Sequence, residues 1–302
     1  MSKLLSMREA IASLLPDGSS VAMGLQLEQT IPFAAAHDII RQQKRGLTLV
    51  GPIFDIFADQ MIGAGCVSHV IAAWVGNVMM GSAYNFRRGV ESGRVKVTNM
   101  TNYSISLALQ AAAMGVPFLP TRTALGSDVA QGSPFFLETT SPFPPHEKLH
   151  AVKALVPDVA IAHVHRADRD GNAHSWGNFG VMIEAVRAAK KVIVVAEEIV
   201  SAELIASDPN RTVIPGFLVS AVVECRWGAH PSPVQGYYKR DDAYFRQYHE
   251  QTKTPVDFAN WAERWIYSRQ DWADYMILLG ACRAESLEVK KHAYAAQTDF
   301  GY

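Results

Sequence analysis

The sequence predicts an open α/β protein, with a mostly parallel sheet, helices on both faces and a C-terminal helical segment packed back onto it. Three observations carry that expectation. Short apolar runs rich in Val and Ile alternate with helix-length stretches through most of the chain. Several of these runs stop at a glycine, as Val21–Met23 does at Gly24, and the ligand crevice of such sheets lies outside the carboxyl ends of the strands. The chain is 49% hydrophobic and 19% charged, the balance of an ordinary globular protein.

In order, Met7 to Leu15 reads as an amphipathic helix and Val21 to Met23 as the first strand, with a helix from Pro32 to Gln43. Proline is favoured in a first helical turn. Leu47 to Val50 is the second strand, Phe54 to Ile62 a helix and Val67 to Trp74 the third strand. After a Gly/Ser/Asn-rich turn come a helix over Tyr84–Glu91, a strand at Val95–Val97 and a helix over Ser104–Met114. From 117 to 147 the rhythm breaks in a Pro-rich excursion, and a structureless segment of that length is usually functional. The alternation resumes with strands at Val159–His163, Val192–Val195 and Phe217–Val223, and a helix over Asn178–Ala189. The tail from Asp242, rich in Trp, Phe and Tyr, is expected to form two or three helices. The whole span 1–302 is expected to be one domain, without repeats or low-complexity tracts.

The formal net charge of −1 excludes the basic surface that non-specific nucleic-acid binding requires. No apolar run approaches the about 18 residues of a membrane span, and Arg8 and Glu9 interrupt the N-terminal apolar stretch, so neither a membrane segment nor a signal peptide is expected. Cys66, Cys225 and Cys282 are widely spaced, with no CxxC pair, which argues against a disulfide framework or a structural zinc site. A reducing, cytoplasmic setting is the expectation.

Four segments could carry chemistry. Backbone N–H groups of Gly24-Leu25-Gln26, at a strand end beside a helix start, could stabilise an oxyanion; an ordinary turn glycine is the alternative. His163 and His165 share one strand face, and His174 could complete a zinc site, but polar side chains on a strand and turn are favoured over a metal centre. Asp168 to Asn172 between them is turn chemistry, suggesting a hairpin. Glu197-Glu198 follows an apolar strand and could be a catalytic pair or a nucleophile, one carboxylate facing the crevice and the other capping or salt-bridging; an acidic pair that opens a helix is the alternative. Gly228-Ala229-His230-Pro231 is a turn in which the histidine reads as structural. The absence of GxGxxG, GxxxxGK[ST] and GxSxG disfavours dinucleotide enzymes, P-loop enzymes and elbow-type serine hydrolases.

Asp17-Gly18, Val21-Ala22-Met23, Gly24 and Pro32 together resemble the first signature of the family I coenzyme A transferases, on the side of their glutaconate-type α (A) subunits. Further matches follow in the same order from about Ser6 to Leu287. They are Phe86-Arg87 with Glu91, Ala111 to Pro120, Asp158 to Ile161, Asp170-Gly171, Trp176-Gly177, Glu197 to Ile199, Ile214 to Gly216 and Gly228 to Ser232. The resemblance implies the CoA-transferase (NagB/RpiA-like) fold. It also implies an enzyme of two related subunits that moves CoA from an acyl-CoA to a carboxylic acid through a glutamyl-CoA thioester. The nucleophilic glutamate would belong to the B (β) subunit, so no catalytic residue is expected in this chain, and Glu197-Glu198 would be structural.

The same resemblance implies coenzyme A as cosubstrate, no bound cofactor or metal, and an α2β2 or α4β4 assembly. Its candidate substrate- or oxyanion-facing residues are Gly24, Leu25 and Gln26, with Asn77 and Ser82 in the turn after Gly76, and Asn99 and Met100 after the fourth strand. Two departures matter. Gly24-Leu25-Gln26 stands where the family has Gly-Gly-Phe, bringing an amide into the loop. Thr98-Asn99-Met100-Thr101 stands where glutaconate-type subunits have an acidic pair, an aromatic residue and a serine, which weighs against glutaconate itself. The alternative is a related two-subunit hydrolase that opens rings of cyclic acyl-CoAs, whose α-chain glutamate has no counterpart here. A third expectation is a binding subunit without chemistry of its own.

Overall fold

The structure is a computed structural model that describes residues 3–289; residues 1–2 and 290–302 of the expected single domain lie outside the described residues. A nine-stranded sheet forms its centre. Across it run Ala221–Glu224, Lys191–Ile199, Val159–Ala167, Ser20–Ala22, Leu47–Val50, Val67–Ala72 and Lys96–Asn99, each parallel to its neighbours. The chain builds outward from Ser20–Ala22 to the edge at Lys96–Asn99. It then returns to the other side of that first strand with Val159–Ala167. The strand order therefore reverses between Ser20–Ala22 and Val159–Ala167, the place where sheets of this kind bind ligands.

Both faces of the sheet are apolar because neither meets water. Val159, Ile161, Ile193 and Val195 enter one core, while Ala160, Ala162, Val192 and Val194 enter the other. That alternation follows from the two-residue period of a strand. The first core is covered by the helices Met7–Leu14, Phe33–Arg41 and Ile56–Gly63, and by the aromatic tail. The second is covered by Asn102–Ala113 and Met182–Ala188. Ser6 and Glu9 form a capping box on the first helix, as Thr101 and Ser104 do at Asn102–Ala113.

The expected order of elements holds, with five local differences. Phe54 does not open a helix: Ile53–Phe54 pairs with Trp74–Val75, and Asp55 caps a helix that begins at Ile56. The helix expected from Asn178 is shortened to Met182–Ala188, since the preceding residues clasp the Gly24 loop. Phe217 lies in a 3₁₀ turn, 85% exposed, and the strand starts at Ala221. The Pro-rich excursion contains Phe118–Thr121 and Phe136–Thr140, both antiparallel to Lys148–Lys153. Pro120 is tolerated there because its strand is an edge. The tail forms four α-helices among the described residues, Asp242–Gln251, Pro255–Ala262, Trp272–Leu279 and Ala281–Leu287.

That tail is part of the core. Tyr248 donates to Asp59 Oδ2 at 2.6 Å, and Asp59 also accepts from Phe86 N and Asn85 Nδ2. These donors make a buried carboxylate tolerable, although burial still pushes its pKa up. Trp261 packs edge-on against Tyr248 at 4.8 Å. Replacing Trp261 by Ala is expected to cost about 3–5 kcal/mol, while Ile277→Ala at a 76% exposed position stays within about 0.5 kcal/mol. Urea unfolding of both variants measures the difference.

Candidate functional site

The first strand stops early. Ala22 pairs with Ala160, yet the neighbouring strand continues to Ala167. Its last residues find another partner, because the chain turns at Asp168 to Asn172 and returns as Ala173–His174, antiparallel to Arg166 and Ala167. The Asp168 carboxylate shapes the turn by accepting from Asp170 N, Asn172 N and Asn172 Nδ2. The expected hairpin is thus present. The loop of residues 24–30 leaves the sheet beside it.

Gly24 begins the loop in the left-handed region, at φ +67, and a Cβ there would lie 2.7 Å from the Phe57 ring. Two walls hold the loop. On one, Val181 N donates to Leu25 O at 2.9 Å and Gln29 Nε2 donates to Asn178 O at 3.0 Å. Gly180 is obligatory there, since a side chain would start 2.2 Å from Leu25 O. On the other wall, Thr30 N donates to Pro233 O, Ser232 Oγ donates to Glu28 O, and Arg240 pairs with Glu28 at 2.9 Å. Gly228 O accepts from Ala34 N in the first turn of the next helix.

Leu25 and Gln26 are almost fully buried. Among the described residues, no main-chain hydrogen bond runs from the N–H groups of residues 24 to 29, Gly24, Leu25 and Gln26 among them. Buried N–H groups are rarely left unpaired. Successive N–H groups at a strand end that no carbonyl claims are the kind of donor an anionic oxygen can use. The Gln26 side chain does not face outward as the sequence suggested. Its carboxamide turns inward, accepting from Thr30 Oγ1 and donating to Ser175 Oγ. What the loop offers is its main chain.

The other expected residues lie along the same carboxyl edge. Asn77 is buried; its amide donates to Phe245 O and its oxygen accepts from Met79 N and Met80 N, so it shapes the turn. Ser82 is exposed at the end of that turn. Asn99 ends the edge strand, exposed, in a groove of about 430 Å³ shared with Asp128 to Pro134 of the excursion. Met100 is buried in the second core. Asn99 is three strand positions from the Gly24 loop, about 14 Å at the usual spacing of about 4.8 Å.

The histidines do not converge. His163 bonds Glu197 at 2.8 Å, His165 bonds Ser175 and Gln235 O, and His174 bonds Ile205 O. Glu197 and Glu198 do point to opposite faces, but inside the strand Lys191–Ile199, not at a helix start, and neither faces a crevice. Glu197 is sealed, accepting from Trp227 N and the Tyr238 hydroxyl, while Glu198 lies 3.6 Å from Arg166. His230 bonds Tyr275 and Asp241 and is structural, as expected.

Asp55 was missed because nothing in its spacing marks it. It follows the second strand, one carboxylate oxygen 3.7 Å from Arg240, which also holds Glu28. Burial is the main cause that raises its pKa to about 7, opposed by the Ile56 N–H and by Arg240.

A doubly wound, mostly parallel sheet with helices on both faces, and a buried loop at its switch point, defines an open α/β protein. Comparison with known proteins specifies the class. Residues 4–225 match the family model described as Coenzyme A transferase, and the chain belongs to that family. It is 35% identical over 278 residues to the α (A) subunit of the 3-oxoadipate CoA-transferase of Pseudomonas knackmussii, covering 91% of this chain and 97% of the relative. It is 33% identical to the α (A) subunit of the glutaconate CoA-transferase of Acidaminococcus fermentans, covering 96% of this chain and 95% of that one. The crystal structure of that glutaconate enzyme superposes with a TM-score of 0.91, with 96% of each chain covered. A cholesterol ring-cleaving hydrolase subunit of Rhodococcus jostii is 29% identical, covering 89% of this chain and 93% of that one.

Two variants probe this geometry. Gly24→Ala is expected to lose about 1–3 kcal/mol from backbone strain and overpacking. Gly126→Ala, with open space around its Cβ, should lose about 1 kcal/mol; thermal unfolding compares them. The raised pKa of Asp55 gives a definite sign. The folded state holds the proton more tightly than the unfolded chain, so wild-type stability from this group falls as pH rises from about 4 to about 7. Asp55→Asn should remove that fall, and its stability relative to wild type should be higher at pH 8 than at pH 4.

Proposed function

We propose that this chain is the α (A) component of a heteromeric CoA-transferase that moves CoA from an acyl-CoA to a carboxylic acid acceptor. The partner is a B-type subunit that supplies the nucleophilic glutamate. The observation that carries the reading is the unpaired main-chain N–H run of Gly24, Leu25 and Gln26 at the switch point of a family-member sheet. It is supported by relatives named as α (A) subunits of the 3-oxoadipate and glutaconate enzymes.

The chemistry explains why such donors are useful. A carboxylate is a weak nucleophile until it is held against the thioester. Its attack on the acyl carbon places negative charge on the carbonyl oxygen, and aimed N–H groups stabilise that charge as it develops. Collapse expels CoA as thiolate, which then attacks the glutamyl carbonyl, giving glutamyl-CoA and releasing the free acid. The acceptor acid repeats the steps in reverse. In this reading Gly24, Leu25 and Gln26 face the reacting oxygen through their main chain, Asn99 and Ser82 border the acyl and acceptor groups, and Asn77 and Met100 support that wall from within. Coenzyme A is a cosubstrate, no resident cofactor takes part, and the chain works in the cytoplasm as α2β2 or α4β4. Among the described residues no helix is long and apolar enough to cross a membrane.

The test uses the complex with its B-type partner. Given acyl-CoA without acceptor, the partner's glutamate is expected to gain a CoA-sized mass, and an added carboxylic acid should discharge it with ping-pong kinetics. Steady release of free CoA and acid with no adduct would overturn the transferase reading in favour of a thioester hydrolase, and opening of a cyclic acyl-CoA with its thioester intact would overturn it in favour of the ring-opening alternative.

A further inference from the structure

Beneath the Gly24 loop a single file of buried polar groups runs from the Gln235 carbonyl to Thr30. His165 Nε2 lies 3.1 Å from Gln235 O, which only accepts, so this nitrogen carries the proton. His165 Nδ1, 3.1 Å from Ser175 Oγ, is then an acceptor and the Ser175 hydroxyl donates to it. The Ser175 oxygen in turn accepts from Gln26 Nε2 at 3.5 Å, and Gln26 Oε1 accepts from the Thr30 hydroxyl. Each link fixes the direction of the next. Gln26, Thr30, His165 and Ser175 are each no more than 2% exposed, which keeps bulk water from replacing a lost partner.

The imidazole is itself held in place. It stacks on Trp176 at 3.8 Å, and the Trp176 indole N–H shares the Gln235 carbonyl at 3.2 Å. Burial, reinforced by His163, Arg166 and Arg211, lowers the His165 pKa to about 3, so the ring is neutral at working pH. The Ser175–His165 contact resembles a nucleophile with its base, but the hydroxyl is sealed from substrate. At the other end of the file the loop needs support. Leu27 and Thr30 have φ of 64 and 48, a region that side chains other than glycine occupy at a cost.

We propose that His165 and Ser175 are positioning residues: they fix the Gln26 carboxamide and, through it, the direction in which the Gly24–Gln26 main-chain N–H groups point. The inference rests on the transferase reading above and adds to it the device that aims the donors. Neither residue touches the reacting atoms.

The experiment uses the complex with its B-type partner. Ser175→Ala is expected to lower kcat about ten- to a hundred-fold, the scale of a donor misplaced by about 1 Å. KM for acyl-CoA should stay near wild type, while the unfolding midpoint falls because His165 Nδ1 and Gln26 Nε2 lose their shared partner. Ser175→Thr, which keeps the hydroxyl, should recover most of the loss. The Gln26→Ala/Ser175→Ala double variant should be no worse than the poorer single variant, since both break one file. The ¹⁵N shifts of His165 should report a neutral Nε2–H ring throughout pH 5–8. Wild-type kcat in Ser175→Ala, multiplicative losses in the double variant, or titration of His165 within that range would each overturn the positioning role. Failure of the transferase reading shows separately, as a wild-type complex that exchanges no CoA, and removes the positioning role with it.

Discussion

The constraint on which the rest depends is the length of one strand. Ser20–Ala22 is three residues long and sits between neighbours in the middle of the sheet, while Val159–Ala167 beside it spans nine. A short strand at the switch point leaves the longer neighbour with ladder groups to satisfy beyond it. The hairpin through Asp168 to Asn172 supplies them by sending Ala173–His174 back along Arg166 and Ala167. The same hairpin delivers Ser175, Trp176 and Asn178 to the flank of the loop. One deficit of pairing thus brings together the loop, its wall and the histidine beneath it.

A loop in that position has to be over-determined. Leu25, Gln26 and Thr30 are buried in it, it contains non-glycine residues in left-handed conformations, and its N–H groups from residue 24 to residue 29 make no main-chain hydrogen bond within the described chain. Each of these features opposes folding, by roughly 1–3 kcal/mol for a strained residue or an unsatisfied donor. The opposing contacts come from elements far apart in sequence: Val181 on one side, Pro233, Ser232 and Arg240 on the other, and Phe57 below. The Gly228 to Ser232 turn belongs to this clamp, which gives it a physical role that its lone histidine did not suggest.

Much of this was legible in the sequence because it rests on local periodicity. Alternating apolar runs and glycine stops located the strands of the parallel sheet, and Gly24 with Pro32 bounded the loop that lies at its switch point. What was not legible depends on pairing across the chain. The excursion's strands form only because Lys148–Lys153 lies between two partners. Gln26 read as a group for the pocket because its carboxamide is polar; its inward turn is set by Ser175, 149 residues away. Glu197-Glu198 read as a catalytic pair at a crevice or as a helix start, but the strand runs on through both, since His163, Trp227 and Tyr238 give Glu197 a buried place within it.

The state of the chain's own carboxylates and imidazoles fits the division of labour proposed between the subunits. A glutamate that attacks a thioester must be reachable and must have its charge free of competing donors. Glu197 has a fully buried side chain with three partners, and Glu198 points outward beside Arg166. Asp55 is buried under Arg240 and carries a proton through much of the acidic range. His165 and His163 are both committed to buried partners. Around the loop, then, the titratable groups are occupied in holding structure, while the groups left open are main-chain N–H donors. Such donors cannot begin a reaction, but they stabilise charge that another group creates. On the transferase reading proposed above, a site so equipped is completed by a nucleophile from the partner subunit.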